Sequence, residues 1–492
     1  MSNPTVADAP QRGFFGHPRA LSTLFFTEMW ERFSYYAMRG ILALYLYTAV
    51  VDGGLGLPET TATSLVSAYG ASVYLTGVAG GWLADRLFGA RRAVFWGGVL
   101  IMFGHIAMAV PGGLATTGIG LVLIIAGTGL LKPNVSKMVG DLYTEQDQRR
   151  DSGFSIFYMG INLGGFAGPL IAGLLQSEIG FHWGFGAAAV GMALGLVQYV
   201  LGKGNLSSLS EVPANPLPAE HKSGVLGRAG GIAAVFVIGV IALLGTGVIG
   251  LGGLVNLVSV ISAVLPIVYF AVMLSSKQIT RVERDRLVAY IPLFLATALF
   301  FLLFEQQAST LVIVTDMQTS NQIFGWEFPV SWFQSVNSFT IIVLAPVFAA
   351  LWLKLGDRQP STAMKFVGGL VIVGLGFLWV VLSGFVTNSE GKQFALMVAL
   401  VFVILTIGEL MLSPVGLSVT TKLAPAVFAS QTMGLYFLAP AMGQGIGAQV
   451  VKLYDQDNQT LYFGVIGLAT IVCGGLLALS SSKIKKLMHG VP

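Results

Sequence analysis

The sequence predicts an all-α integral membrane protein of fourteen transmembrane helices, two six-helix bundles with a two-helix insert between them. Three observations carry this reading. Of 492 residues, 54% are hydrophobic and only 10% are charged, where soluble domains carry about 25% charged residues. Apolar runs recur from residue 21 to residue 481, each close to the roughly 20 residues that a helix needs to cross the hydrocarbon of a bilayer. Lys and Arg collect in every second connection, as the positive-inside rule expects of cytoplasmic loops.

In chain order the runs lie near 21–50, 63–84, 93–111, 117–140, 152–175, 183–202, 228–250, 253–275, 287–314, 331–355, 362–386, 392–418, 428–451 and 460–481. Positive charge falls before the first run (Arg12, Arg19), between the second and third (Arg86, Arg91, Arg92) and between the fourth and fifth (Arg149, Arg150). It returns at Lys203, Lys222 and Arg228, at Lys277 to Arg286, at Lys354 and Arg358, at Lys422, and in the tail at Lys483, Lys485 and Lys486. The other connections hold only Lys392 and Lys452. Both termini are therefore expected in the cytoplasm, which requires an even number of spans. The first run contains Glu28, Glu31, Arg32 and Arg39, charges that a cleaved signal peptide would not carry.

The stretch LSSLSEVPANPLPAEHKSG reads as a linker over 203–227, between an N-terminal bundle (1–202) and an inserted hairpin (228–286) that looks lipid-facing. A C-terminal bundle (287–492) follows, and the two bundles match weakly, as structural repeats around a midplane cavity would. Asp85-Arg86 after the second run corresponds to Asp357-Arg358, and the proline-flanked charge Lys132-Pro133 corresponds to Glu409 with Pro414.

Several chemistries are excluded by what is missing. The lone Cys473 offers no disulfide framework, and His17, His105, His182, His221 and His489 show no metal-binding spacing, so no metal or other cofactor is expected. Gly416 to Thr420 lacks the last glycine of a nucleophile elbow, and no phosphate-binding glycine loop is present, which argues against an enzyme. A net charge of +4, spread over alternate loops, gives no nucleic-acid footprint.

Ionisable groups at membrane depth are costly and face partners or water. On the first helix Glu28, Glu31, Arg32, Tyr35, Tyr36 and Arg39 share one face. Salt bridges such as Glu28 to Arg32 would account for one pair; a stripe of six polar groups fits a hydrated pathway better. Lys132 has no acid within a turn and must find one on another helix, with Glu28 and Glu31 the candidates. Glu305 and Glu409 have no base in their own helix cores, so they either hold protons or wait for a cation. His105 reads as a packing residue, and Asn162 and Asn337 serve either helix contacts or a ligand. Asp85, Arg86 and Arg91, in Gly-x-x-x-Asp-Arg-x-x-Gly-x-Arg-Arg, could lock neighbouring helix ends in one state and release them in another.

That loop resembles the signature between the second and third helices of the major facilitator superfamily. Glu28-Met29-Trp30-Glu31-Arg32, Gly129-Leu130-Leu131-Lys132-Pro133-Asn134, Phe157-Tyr158-Met159-Gly160-Ile161-Asn162 and Gly408-Glu409-Leu410-Met411-Leu412-Ser413-Pro414-Val415-Gly416 together resemble the proton-dependent oligopeptide transporter family. The resemblance runs from about residue 21 to 480, including the insert typical of bacterial members. It implies H⁺-coupled import of di- and tripeptides across a bacterial cytoplasmic membrane by alternating access, with small peptides, protons and the lipid bilayer as partners and a monomer as the working unit. Proton coupling would then fall to Glu28, Glu31, Arg32, Lys132 and Glu305. The peptide carboxylate would meet Arg39 and Lys132 and its amine Glu409, with Asn162 and Asn337 on its backbone and Tyr35, Tyr36, Tyr74 and Tyr436 lining the pocket. Tyr436 stands where some members have tryptophan, and Gln306 where some have a second acid. Another H⁺-coupled carrier on the same fold, for nitrate, a drug or an amino-acid conjugate, is the competing reading.

Overall fold

The computed structural model describes residues 13–144, 147–218, 246–323 and 325–491, with scattered positions between 220 and 239. The expected span at 228–250 lies largely outside the described residues. The chain is almost entirely helical, because backbone N–H and C=O groups in hydrocarbon must be satisfied within their own segment. In order the long helices are α1 (Arg19–Tyr47), α2 (Glu59–Leu83), α3 (Ala90–Ala109), α4 (Gly113–Gly140), α5 (Arg149–Glu178), α6 (Phe181–Gly202) and α7 (Leu251–Ser275). They continue with α8 (Arg281–Phe304), α9 (Thr310–Gln318), α10 (Trp332–Leu355), α11 (Thr362–Ser383), α12 (Ala395–Leu423), α13 (Ala429–Val450) and α14 (Gln459–Leu487). Among the described residues ten segments are long and apolar enough to cross a membrane, with α8 and α9 counted as one. The helices α1, α2 and α13 coincide with three further runs of the sequence, diluted by charge or by Ser, Thr and Gln.

Two compact units make up the chain. One contains the described residues up to Met38 together with Leu75–Leu257; the other contains Arg39–Tyr74 and Val258 onward. The boundary between the units falls within α1, α2 and α7.

In the first unit α3 packs along α4 and α6, and glycine sets the approach. A Cβ on Gly97 would lie 2.7 Å from the Gly127 carbonyl oxygen and one on Gly127 2.5 Å from that of Gly97, and the pair Gly104 and Gly120 repeats this reciprocity at 2.7 Å each way. Close backbone approach replaces the hydrophobic effect as the source of helix cohesion where lipid is the solvent. Gly160, Gly164 and Gly168 do the same for α5 against α1: a Cβ on Gly164 would collide with the Met29 carbonyl and lie 3.1 Å from Arg32 Cβ. This seam sets the height of the charged stripe.

In the second unit α11 runs along α12 and α14, and α8 along α13. A capping box opens α8: the Thr280 hydroxyl accepts from the Glu283 N–H at 3.2 Å while Glu283 Oε2 accepts from the Thr280 N–H at 2.8 Å. The span then breaks. Glu305–Ala308 forms a 3₁₀ turn, all four residues buried, before α9 resumes. Helix α7 exposes Val260, Val264 and Val268 on one side. Its other side docks, with Gln449 donating to Ser259 Oγ at 2.7 Å and Phe270 against Phe294. Two-residue strands complete the connections: β1 (Thr319–Ser320) runs parallel to β4 (Gln393–Phe394), and β2 (Gln322–Ile323) antiparallel to β3 (Trp326–Glu327).

Ahead of α1, outside the spans, His17 is buried with both ring nitrogens engaged, Nδ1 2.9 Å from Tyr143 Oη and Nε2 3.3 Å from Ser152 Oγ. The Ser152 hydroxyl donates to the Arg149 carbonyl at 2.9 Å, so it accepts from Nε2–H; in the neutral ring Nδ1 then accepts from the Tyr143 hydroxyl. Burial first, and the Arg149 charge second, hold the His17 pKa below its ordinary value, with Asp147 opposing them.

Two predictions follow from this packing. Gly127→Val is expected to destabilise the protein by about 1–3 kcal/mol through overpacking, seen as a lower thermal unfolding midpoint in detergent, whereas Gly118→Val, whose Cβ meets nothing within 4 Å, is expected to leave the midpoint unchanged. For His17, a lowered folded pKa means that its contribution is complete above the ordinary histidine range and is lost as pH falls through the folded value. Hydrogen exchange of residues 14–17, corrected for its intrinsic pH dependence, is expected to accelerate on acidification in the wild type but not in His17→Ala, which starts from the faster rate.

Candidate functional site

On α1 Arg32 Nε lies 2.5 Å from Glu31 Oε2 and 3.2 Å from Glu28 Oε1. All three side chains are enclosed, with Glu28 at 2%, Glu31 at 0% and Arg32 at 3% relative exposure. Among the described residues, the other oxygen of each acid, Glu28 Oε2 and Glu31 Oε1, and Arg32 Nη2 are buried without a hydrogen-bond partner. These three charges are therefore enclosed among packed side chains, and the Glu28 to Arg32 salt bridge is one of the two contacts that join them. Tyr35 stacks beneath the guanidinium at 5.0 Å and meets Tyr36 edge to face. Lys132 is half-buried on α4, near enough for its charge to act on Glu28 of α1.

Pro133 cannot donate to the Gly129 carbonyl. That oxygen faces Gly80 of α2, where a Cβ would collide with it. Asn134 bridges the same seam, donating to the Leu130 carbonyl at 2.7 Å and the Gly80 carbonyl at 3.4 Å. Asn162 donates to the Tyr158 carbonyl of its own helix at 2.9 Å. His105 is wholly buried and, among the described residues, neither of its ring nitrogens is hydrogen-bonded.

The second unit holds the remaining groups. Arg39 Nη2 forms an ion pair with Glu305 Oε2, both buried. This corrects the expectation of a bare Glu305: its base comes from α1, 266 residues away in sequence. Asn337 on α10 donates to Glu409 Oε2 at 3.2 Å and to Thr406 Oγ1 at 2.8 Å. Glu409 itself is half-buried and within electrostatic reach of Glu305 and of Tyr436, whose hydroxyl donates to the Ser413 carbonyl at 3.2 Å. Tyr74, half-buried on α2, belongs to this unit too. The arrangement offers a guanidinium and a carboxylate held within one unit, each already paired and each able to exchange its partner for a ligand's charge.

At the turn after α2, Asp85 pairs not with the arginines of its own loop but with Lys137 of α4, at 2.5 Å. The arginines instead hold the linker. Arg91 reaches Glu211 at 3.4 Å and the Lys203 carbonyl at 2.8 Å, and Arg86 Nη1 donates to the Asn215 carbonyl at 3.3 Å. The N–H groups of Asn215 and Leu217 return bonds to the Asp85 and Arg86 carbonyls at 3.0 and 3.2 Å. Gly89, at φ 78°, admits the Glu211 carbonyl where a Cβ would stand 2.5 Å from it. Sequence reasoning missed this docking and missed Thr406. For Thr406 a signal was present, since it lies three residues before Glu409 on the same helical face.

The model of the POT family matches residues 91–471. An uncharacterised transporter of Bacillus subtilis is 51% identical over 488 residues, spanning 99% of this chain and 98% of the relative. A di-/tripeptide transporter of Lactococcus lactis subsp. cremoris is 43% identical, spanning 98% of each chain. The crystal structure of a peptide transporter POT in complex with sulfate superposes with a TM-score of 0.94 at 50% identity, covering 99% of both chains.

The docked linker gives a prediction of its own. Arg91→Ala removes the Glu211 pair and the Lys203 carbonyl bond together, and limited proteolysis within residues 203–218 is expected to accelerate several-fold relative to cleavage elsewhere; an unchanged cleavage rate would show that the backbone pairing to Asp85 and Arg86 suffices.

Proposed function

The chain belongs to the POT family, and on that basis we propose that it is a proton-coupled symporter importing di- and tripeptides by alternating access across the inner membrane of a bacterium. Both termini then lie in the cytoplasm, the working unit is a monomer, protons are the coupling ion with no other cofactor, and the substrate leaves chemically unchanged. The observation that carries the proposal is the buried ion pair of Arg39 and Glu305. A guanidinium in low dielectric needs a counter-charge, and breaking such a pair from one side is costly. When Glu305 takes a proton, Arg39 is left uncompensated, and the carboxylate of a peptide supplies the missing charge. Proton and peptide thereby depend on each other, which is what coupling requires.

The other groups take complementary parts in this reading. Glu409, half-buried and oriented by Asn337, receives the peptide amine. Glu28 and Glu31 share Arg32, and the unsatisfied oxygen on each is a place for a proton to arrive. Neutralising either acid changes the field at Lys132, which becomes available to the peptide carboxylate. Tyr35, Tyr36, Tyr74 and Tyr436 meet side chains by shape and polarisability instead of charge, which suits a site for many peptides. The di-/tripeptide transporter of Lactococcus and the peptide transporter of known structure support the choice of substrate class.

In proteoliposomes Glu28→Gln and Glu31→Gln are each expected to lose accumulation of labelled dialanine driven by an inward proton gradient, the internal concentration rising no higher than the external one. Glu305→Gln is expected to retain peptide exchange in counterflow while losing gradient-driven uptake. A variant that still concentrates dialanine would remove its acid from the coupling role, and uptake competed by single amino acids but not by dipeptides would favour the other substrate classes.

A further inference from the structure

Thr406 lies on α12 one turn before Glu409 and is wholly buried. Its hydroxyl donates to the Phe402 carbonyl of its own helix at 2.7 Å. A hydroxyl has one proton, so with that proton committed the oxygen can only accept from its other neighbour. The neighbour is the Asn337 side chain, 2.8 Å away, and it must therefore present its NH₂ and not its carbonyl to Thr406. The same NH₂ has a second hydrogen, which points to Glu409 Oε2 at 3.2 Å. The direction of donation is thus fixed along the chain: Asn337 gives one hydrogen to Thr406 and one to Glu409. Thr406 and Asn337 are buried while Glu409 is half-buried, so the first two form a backing and the carboxylate presents its free side.

We propose that Thr406 is a positioning residue for the recognition of the substrate's amino group: by fixing the orientation of the Asn337 amide it holds the Glu409 carboxylate through Oε2 and keeps Oε1 for the ligand's ammonium. The proposal rests on the assignment of the peptide amine to Glu409 made above. Without the hydroxyl, the Asn337 NH₂ loses its shorter bond, the 2.8 Å contact to Thr406, and keeps only the 3.2 Å contact to Glu409. The amide is then no longer held in place behind the carboxylate, and Glu409 can swing away from the position in which Oε1 meets the ligand. The loss falls on ligands with an amine and spares those without.

The test compares uptake of dialanine with that of N-propionylalanine, the same molecule with hydrogen in place of the amino group, in proteoliposomes containing the full chain. In the wild type, dialanine is expected to have the lower KM. Thr406→Val, nearly isosteric and lacking the hydroxyl, is expected to raise the KM for dialanine about tenfold, the scale of one hydrogen bond to a charged group, with kcat and the KM for N-propionylalanine unchanged. Thr406→Ser, which restores the hydroxyl, is expected to return dialanine to its wild-type KM. Unchanged N-propionylalanine uptake also shows that the variant is folded; if Thr406→Val cannot be produced, Thr406→Ala takes its place. A wild-type KM for dialanine in the hydroxyl-free variant, or equal losses for both substrates, would overturn the role of Thr406 and leave that of Glu409 standing. A wild type indifferent to the amine would overturn the Glu409 assignment, and the Thr406 proposal with it.

Discussion

Arg32 sets one positive charge between two buried carboxylates, with Glu31 Oε2 at 2.5 Å and Glu28 Oε1 at 3.2 Å, and the need for a neighbouring counter-charge or donor governs the enclosed charges of the described spans. A charge enclosed among apolar helices persists only with a counter-charge or a hydrogen-bond donor beside it. Here Glu28 and Glu31 have Arg32, Glu305 has Arg39, and Glu409 has Asn337. Under the proposed function each partnership is also one that a ligand or a proton enters, because a proton removes the acid's charge and a zwitterion brings one charge of either sign.

Packing serves this constraint before it serves cohesion. The Gly160, Gly164, Gly168 seam brings α5 onto the backbone of α1 beside Arg32, leaving no room there for larger side chains. Around Lys132, Pro133 and Gly129 bring α4 against Gly80 of α2 and so fix the height of the lysine. In the second unit the break at Glu305–Ala308 takes the acid out of regular helix and gives it to Arg39. Cohesion elsewhere comes from reciprocal glycine contacts of the kind made by Gly97 and Gly127, which hold helices together without spending polar groups.

Much of this was legible in the sequence, and the boundary of legibility has a physical origin. Hydropathy and the placement of Lys and Arg mark the spans because the bilayer acts on each segment separately. The stripe from Glu28 to Arg39 shows on a helical wheel, and four separated motifs lead to the family. Partners distant in sequence leave no such trace: nothing near Glu305 announces Arg39, and nothing near Asp85 announces Lys137. The linker reads as polar filler by composition, yet residues 203–217 form hydrogen bonds to the α2/α3 turn through backbone groups that carry no residue signature. Thr406 is an intermediate case, visible by spacing but indistinguishable from the many threonines that bond only to their own helix.

The central claim is that peptide and proton cross together. Its most direct test is the lumenal pH of proteoliposomes carrying the wild-type protein and a trapped pH-sensitive dye, with no gradient imposed at the start and the membrane potential clamped at zero. Addition of dialanine outside is expected to acidify the lumen at a rate that saturates with peptide, while alanine at the same concentration leaves the pH unchanged. Entry of labelled dialanine with no change in lumenal pH would contradict the account.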